Sequence, residues 1–323
     1  MRIVFMGTPD FSVPVLECLA ESEHEVVLAV SQPDKPKGRG KELLQTPVKK
    51  KAQEYHIPVL QPEKVKAWQV VEELRKIQPD CIVVVAFGQI LSKEILDLPK
   101  YGCVNIHASL LPEYRGAAPI QWAVIDGLKE TGITIQQMDI GVDTGDVLDK
   151  LTVPIASDET GGSLFEKLSK LGGPLLLETL KKIEEGTVLP VKQDDSKATY
   201  AKMLDRSMGN IDFSKSAEEI ERLIRGLNPW PSAYTFYQGK MLKIWRAQVI
   251  EENALWIENT SSTENTSQMG EIVKIDKEAI YIQTGKGILK LLEVQLEGKK
   301  RMDTAAFLRG VKVEKGQVLQ RNK

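Results

Sequence analysis

Cysteine and histidine are scarce, three of each in 323 residues. Cys18, Cys81 and Cys103 stand far apart, so they form neither a disulfide framework nor the paired spacing of a zinc site, and no metal is expected. No run approaches the roughly 18 apolar residues of a membrane span. The opening residues, MRIVFMGTPDF, enter a strand-like pattern without a charged leader and apolar core. These absences predict a cytoplasmic chain without membrane contact, in which the acceptor sequences at Asn259 and Asn265 stay unglycosylated. The dinucleotide and phosphate fingerprints are missing too. The first strand closes on Gly7-Thr8-Pro9, which is neither G-x-G-x-x-G nor G-x-x-x-x-G-K. The Asp- and Gly-rich run from Asp139 to Asp146 resembles a calcium loop, but Lys150 occupies the twelfth position, where a glutamate is needed.

What is present describes an ordinary globular chain: 42% hydrophobic and 27% charged residues, enough length for two domains with their own cores. The net charge of -2 conceals an asymmetry. Residues 206–323 hold 19 basic against 15 acidic side chains, a net +4, and the remainder is -6. An excess of that size suits an anionic partner, although lysines scattered on a solvated face would also produce it.

Residues 2–6 and 25–31 are short β-branched runs flanking a segment, 13–21, with helical apolar spacing, which is a β-α-β opening. Residues 32–51 then read as a mobile cationic loop carrying Lys35, Lys37, Arg39 and Lys41. Helical spacing returns over 48–55 and 65–77, and the uninterrupted apolar run 81–86 predicts a buried central strand. Residues 87–91 follow it as a loop, where open α/β sheets place ligands. Further on, 119–125 is a helix started by Pro119, and 132–138 and 146–155 are strands. Helices are expected over 163–171 and 175–185, separated by Gly172-Gly173-Pro174. Residues 1–188 thus form a Rossmann-like α/β domain and 189–205, without periodicity, a linker. In 206–323, an amphipathic helix over 217–226 and several short strands predict a small barrel of the oligonucleotide-binding (OB-like) kind. A polar low-complexity loop, 259–268, lies within it.

The richest stretch is 101–116, YGCVNIHASLLPEYRG. As an extended strand it puts Cys103, Asn105 and His107 on one face, and Pro112 and Gly116 shape the loop beyond. Asn105 and His107 could donate hydrogen bonds to a developing oxyanion, with Asp143 orienting the imidazole or accepting a proton. Nothing in this set must be a nucleophile. A Cys103 nucleophile with His107 as its base is the competing reading, but four residues of strand separate them by about 13 Å, beyond hydrogen-bond reach. Taken singly, Asn105 and His107 could equally be satisfied core polar groups.

Asn105-x-His107, then Ser109-Leu110-Leu111-Pro112-Glu113-Tyr114-Arg115-Gly116, then Asp143 within DIGVDTGD, resembles the folate-dependent formyltransferase family. Gly7-Thr8-Pro9-Asp10-Phe11 and Asn228-Pro229-Trp230-Pro231 extend the likeness over nearly the whole chain. The resemblance implies 10-formyltetrahydrofolate as formyl donor and the initiator methionyl-tRNA as acceptor, handled by a monomer. It assigns catalysis to Asn105, His107 and Asp143, and the folate to Ser109, Leu110, Leu111 and Pro112, with Phe87, Gln89, Ile90 and Leu91 nearby. It also places Arg39 and Lys41 near the tRNA acceptor end, and gives the C-terminal barrel a part in holding the tRNA. Relatives acting on a sugar-nucleotide amine share the N-terminal motifs without the long basic loop. An RNA-binding module with a decayed α/β domain is the reading outside enzymes.

Overall fold

Five short β-branched runs pair side by side as a parallel core in the computed structural model, which describes residues 1–37, 42–250 and 267–320. Two compact units emerge. Met1–Pro119, Glu130–Pro154 and Leu164–Lys202 make the first, and Ile120–Lys129, Ile155–Ser163 and Met203–Lys323 the second. Among the described residues no helix is long and apolar enough to cross a membrane.

In the first unit the seven strands run in the order Val147–Pro154, Glu130–Gln137, Cys103–His107, Cys81–Val85, Arg2–Gly7, Glu25–Val30, Val59–Leu60. The first two are antiparallel additions to the parallel set. The Cys81–Val85 strand is buried along its whole length, as its uninterrupted apolar sequence requires. Val13–Ala20 buries Val15, Leu16 and Leu19, and Trp68–Ile77 buries Val70, Val71 and Leu74, the apolar stripes of their helical periods.

Several elements differ from the sequence reading. The helix expected from residue 65 begins only at Trp68, because Val65 is held in the core by its own N–H, which donates to Gln89 Oε1 at 2.7 Å. The loop expected over 32–51 contains a short hairpin, Lys35–Lys37 paired with Glu42–Leu44, while the helix expected over 48–55 is present as Pro47–Glu54, capped by Thr46 Oγ1 on Lys49 N at 3.2 Å. Arg39 and Lys41 lie outside the described residues.

The two helices expected over 163–185 are one, Gly161–Glu184, with Pro174 inside it. The glycines are explained by close approach instead of breakage. A Cβ on Gly172 would stand 3.3 Å from Ile106 Cγ2, and one on Gly173 would stand 2.7 Å from Cys18 Cβ. At Gly173 the helix lies so near the helix Val13–Ala20 that only hydrogen fits, at Gly172 it is tight against the sheet, and burial outweighs what one proline and two glycines cost it.

The stretch read as a linker is built into the first unit as far as Lys202. Tyr200–Ala201 pairs in parallel with Arg115–Gly116, and Val191 exchanges backbone bonds of 2.8 Å with Val147. Packing changes at 202/203 instead of 188/189, and two short segments of the N-terminal half, Ile120–Lys129 and Ile155–Ser163, group with the second unit.

The second unit opens on the helix Ala217–Gly226, whose capping box joins Ser216 and Glu219. Its antiparallel sheet runs Ala233–Tyr237, Lys240–Ile250, Ile288–Leu296, Ile280–Gln283, Ile272–Ile275, with Met302–Asp303 beside Ile288–Leu296. The C-terminal segment bonds to both ends of this order. Ile272 N donates to Gln317 O at 2.8 Å, and Phe236 and Gln320 exchange two bonds of 3.0 Å. The sheet is thereby closed into a barrel around Ile220, Ile244, Ile282, Leu289 and Leu291. Most of the low-complexity loop expected over 259–268 lies outside the described residues.

Candidate active site

From Arg2–Gly7 the chain builds outward on one side through Glu25–Val30 and Val59–Leu60, then crosses to Cys81–Val85 and Cys103–His107 on the other. A parallel sheet opens a crevice at such a switch point, at the carboxyl ends of its strands. Ser12 Oγ donates to Val85 O at 2.6 Å, and Thr8 Oγ1 and Gln32 Nε2 both reach Phe87 O, at 3.0 and 3.3 Å. These bonds fix the loop after Cys81–Val85, which turns at Ala86 (φ 45°) and Gly88 (φ 81°). Phe87 and Leu91 are buried in the core beneath it, and Ile90 is 74% exposed. The Gln89 side chain is committed at both ends, accepting from Val65 N and donating to Pro62 O at 3.1 Å. Of the four residues expected to touch a ligand here, Ile90 alone presents its side chain outward.

Cys103–His107 is the adjacent strand, with Asn105 level with Val84 on one side and Gln136 on the other. Beyond it, Asp143 folds back with positive φ (56°) in a loop whose Gly145 has no room for a Cβ, since one would overlap the Gln137 carbonyl oxygen. The Asp143 carboxylate is the hub. Its Oδ1 accepts from Gln136 Nε2 at 3.0 Å and Asn105 Nδ2 at 3.4 Å, and lies 3.5 Å from His107 Nδ1. Its Oδ2 accepts from Gly116 N at 2.9 Å. His107 Nε2 is 2.9 Å from Tyr114 O. A carbonyl only accepts, so Nε2 carries the proton there, and Nδ1 donates to Asp143 when the ring is an imidazolium. Asn105, His107 and Asp143 thus converge as the sequence pattern requires, leaving one Asn105 amide hydrogen for a ligand.

The loop 109–113 is held by backbone-directed bonds. Thr134 Oγ1 donates to Ser109 O at 2.7 Å and accepts from Leu111 N at 3.1 Å, and Ser109 Oγ donates to Glu113 O at 2.6 Å. Lys150 Nζ donates to Leu111 O, and burial pushes this ammonium below its ordinary range, against a smaller opposing pull from Glu113. Leu111 is fully buried and joined to Pro112 by a cis bond, and Leu110 is half-buried. Ser109, Leu111 and Pro112 therefore shape this loop and present its backbone.

Cys103 belongs to the core. It donates weakly to Ile95 O at 3.6 Å, and burial pushes its thiol far above the ordinary range, with small additions from Cys81 and Asp97. Cys81 is pushed up to about 12 by the same cause.

Three residues of the site escape sequence reasoning: Gln136, Arg115 and Gln193. Gln136 reads as an ordinary strand residue, yet its buried Oε1 is without a partner among the described residues. Gln193, in the aperiodic stretch, donates to Asp143 O at 2.9 Å and Gly145 O at 2.7 Å, and its Oε1 accepts from Arg115 Nε and Nη2 at 3.1 and 2.8 Å. The one available signal was Arg115 itself, a charged residue between a tyrosine and a glycine that had to find a partner wherever it was buried.

Comparison with known proteins agrees along the whole chain. Residues 1–180 match the formyl transferase family, and 203–312 match the formyl transferase C-terminal domain. The chain is 57% identical over 316 residues to the methionyl-tRNA formyltransferase of Agathobacter rectalis, covering 98% of both. It is 54% identical to that of Lachnospira eligens over 320 residues, 99% of both. Among solved structures, WlaRD, a sugar 3N-formyl transferase crystallised with dTDP and 5-N-formyl-THF, superposes with a TM-score of 0.63 at 20% identity over 93% of this chain and 99% of its own. The N-formyltransferase of Helicobacter canadensis, in complex with folinic acid and dTDP-3-aminofucose, gives 0.62 at 18% over 90% and 99%. At these identities the likeness is one of fold.

Proposed function

Because the chain belongs to the formyl transferase family, we propose that it transfers the formyl group of 10-formyltetrahydrofolate to the α-amino group of the initiator methionyl-tRNA. N-formylmethionyl-tRNA and tetrahydrofolate are the products. Full-length identity above one half to methionyl-tRNA formyltransferases supports the substrates. The observation that carries the chemistry is the convergence of Asn105, His107 and Asp143 at the carboxyl edge of the sheet.

The amine nitrogen of the aminoacyl-tRNA attacks the formyl carbon, so a C–N bond forms and the carbonyl oxygen takes up negative charge. Asn105 donates its remaining amide hydrogen to that oxygen, and the His107 ring beside it adds to its stabilisation. Both His107 nitrogens face protein oxygens in the structure, so direct donation requires Nε2–H to be shared between Tyr114 O and the substrate. Asp143 orients both side chains and accepts the proton the amine loses. The bond to N10 of the folate then breaks, and that nitrogen leaves with the proton that Asp143 took up. The folate ring lies against Ile90 and Leu110, its polar edges meeting the backbone of the loops 87–91 and 109–112. No side chain need form a covalent bond to the formyl carbon, which suits a site whose strand thiol, Cys103, is buried and pushed far above its ordinary range.

Arg39 and Lys41 contact the tRNA near its acceptor end, and the basic second unit adds further contacts. The protein works as a cytoplasmic monomer. Incubation with 10-formyltetrahydrofolate and a choice of methionyl-tRNA or a dTDP-linked amino sugar tests this reading. Formylated methionyl-tRNA is expected, and formylation of the sugar alone would overturn it.

A further inference from the structure

Asp143 sits in a conformation that an L-residue adopts reluctantly, at φ 56°, in a loop where Gly145 already fills the space left by Gln137. Something must hold it there. Its side chain reaches Gly116 N, and its backbone is gripped from the other side by Gln193 Nε2, which donates to the carbonyls of Asp143 and Gly145. Gln193 is 7% exposed and Arg115 2%. The Arg115 guanidinium closes on Gln193 Oε1 with two donors, and its Nη2 also reaches Asp195 Oδ1 at 2.7 Å. Two donors on Oε1 leave the amide one orientation, with Nε2 toward the two carbonyls. Arg115–Gly116 is itself paired with Tyr200–Ala201, so both grips on Asp143 rest on one small frame.

We infer that Gln193, locked by Arg115, is a positioning residue for the formyl transfer, fixing the loop that carries Asp143 and hence the aim of Asn105 and His107. The inference rests on the role proposed above for Asp143. Loss of this grip lets the carboxylate drift while both substrates keep their own contacts, so turnover suffers and binding does not.

The test is steady-state formyl transfer to methionyl-tRNA by the full chain. Gln193→Ala is expected to lower kcat on the order of 10- to 100-fold, with either KM changed less than about 3-fold. Because that variant leaves the buried Arg115 guanidinium with Asp195 but without its Gln193 acceptor, the pair Arg115→Met with Gln193→Met is measured alongside it. Removing both polar partners should recover much of the thermal stability while kcat stays low. In an Asp143→Asn background, Gln193→Ala should add less than about 3-fold, since the two act through one group. Recovery of kcat together with stability, or losses that multiply with Asp143→Asn, would reduce Gln193 to a structural part. Wild-type kcat in Gln193→Ala beside an inactive Asp143→Asn overturns the positioning role alone. Wild-type kcat in Asp143→Asn removes the reading of the site itself.

Discussion

Asp143 shows how much one carboxylate can organise. Three donors lie within 3.4 Å of its two oxygens, from Asn105, Gln136 and Gly116, with the His107 ring beside them. Cys103, two residues from Asn105 on the same strand face, is given no part in the proposed mechanism, because burial pushes its thiol far above the ordinary range and its neighbours are core side chains. Cys103→Ala should therefore keep kcat within a few-fold of wild type while lowering stability by about 1–2 kcal/mol, measured by denaturant unfolding. A collapse of kcat in a stable variant would restore the thiol to the mechanism. At this scale the sequence carried the groups proposed to react and hid the side chains packed around them. Asn105 and His107 were visible because a two-residue spacing on a strand fixes a shared face. Gln136 and Gln193 were not, because a glutamine contributes through a partner that only the fold supplies.

Among the elements, the helix Gly161–Glu184 departs furthest from its local signals. Gly172-Gly173-Pro174 reads as a break in any isolated segment, and tertiary packing overrules it: the glycines admit the Ile106 and Cys18 side chains that a longer residue would displace. Gly173→Ala should raise helix propensity and still lower the melting temperature, because the new methyl overlaps Cys18 Cβ, at a cost of about 1–3 kcal/mol. A rise in melting temperature would mean that Cys18 and its helix give way more easily than the 2.7 Å separation from the added Cβ implies. Strands were read within a residue or two wherever they are apolar and central, as in Cys81–Val85 and Cys103–His107. The two-residue strand Tyr200–Ala201 was not, since its pairing with Arg115–Gly116 leaves no periodic trace. The C-terminal closure of the barrel is made by backbone bonds at 316–320 and is equally silent in side-chain pattern.

For the whole molecule, charge and architecture divide the work. The acidic N-terminal half carries the groups proposed to react, and residues 206–323 carry the net +4 that suits a polyanion. Arg39, from the basic loop of the otherwise acidic half, is proposed to join them at the tRNA. Arg39→Ala should raise the KM for methionyl-tRNA and reduce its salt dependence by about one phosphate contact, leaving the KM for the formyl donor unchanged. An unaltered salt slope would show that Arg39 touches no phosphate. The α/β class and the barrel were legible in the order of the apolar runs. The exchange of Ile120–Lys129 and Ile155–Ser163 into the second unit was not, because segment membership is decided by packing at a distance along the chain.

The central claim is that formyl passes directly from folate to amine under electrostatic stabilisation by Asn105 and its partners. Quenched single-turnover transfer of labelled formyl to methionyl-tRNA, comparing wild type with Asn105→Ala, tests it most directly. A rate about 10²–10³-fold slower is expected in the variant, with no label on the protein at any time. A rate close to wild type, or label bound covalently to the protein before it reaches tRNA, would contradict it.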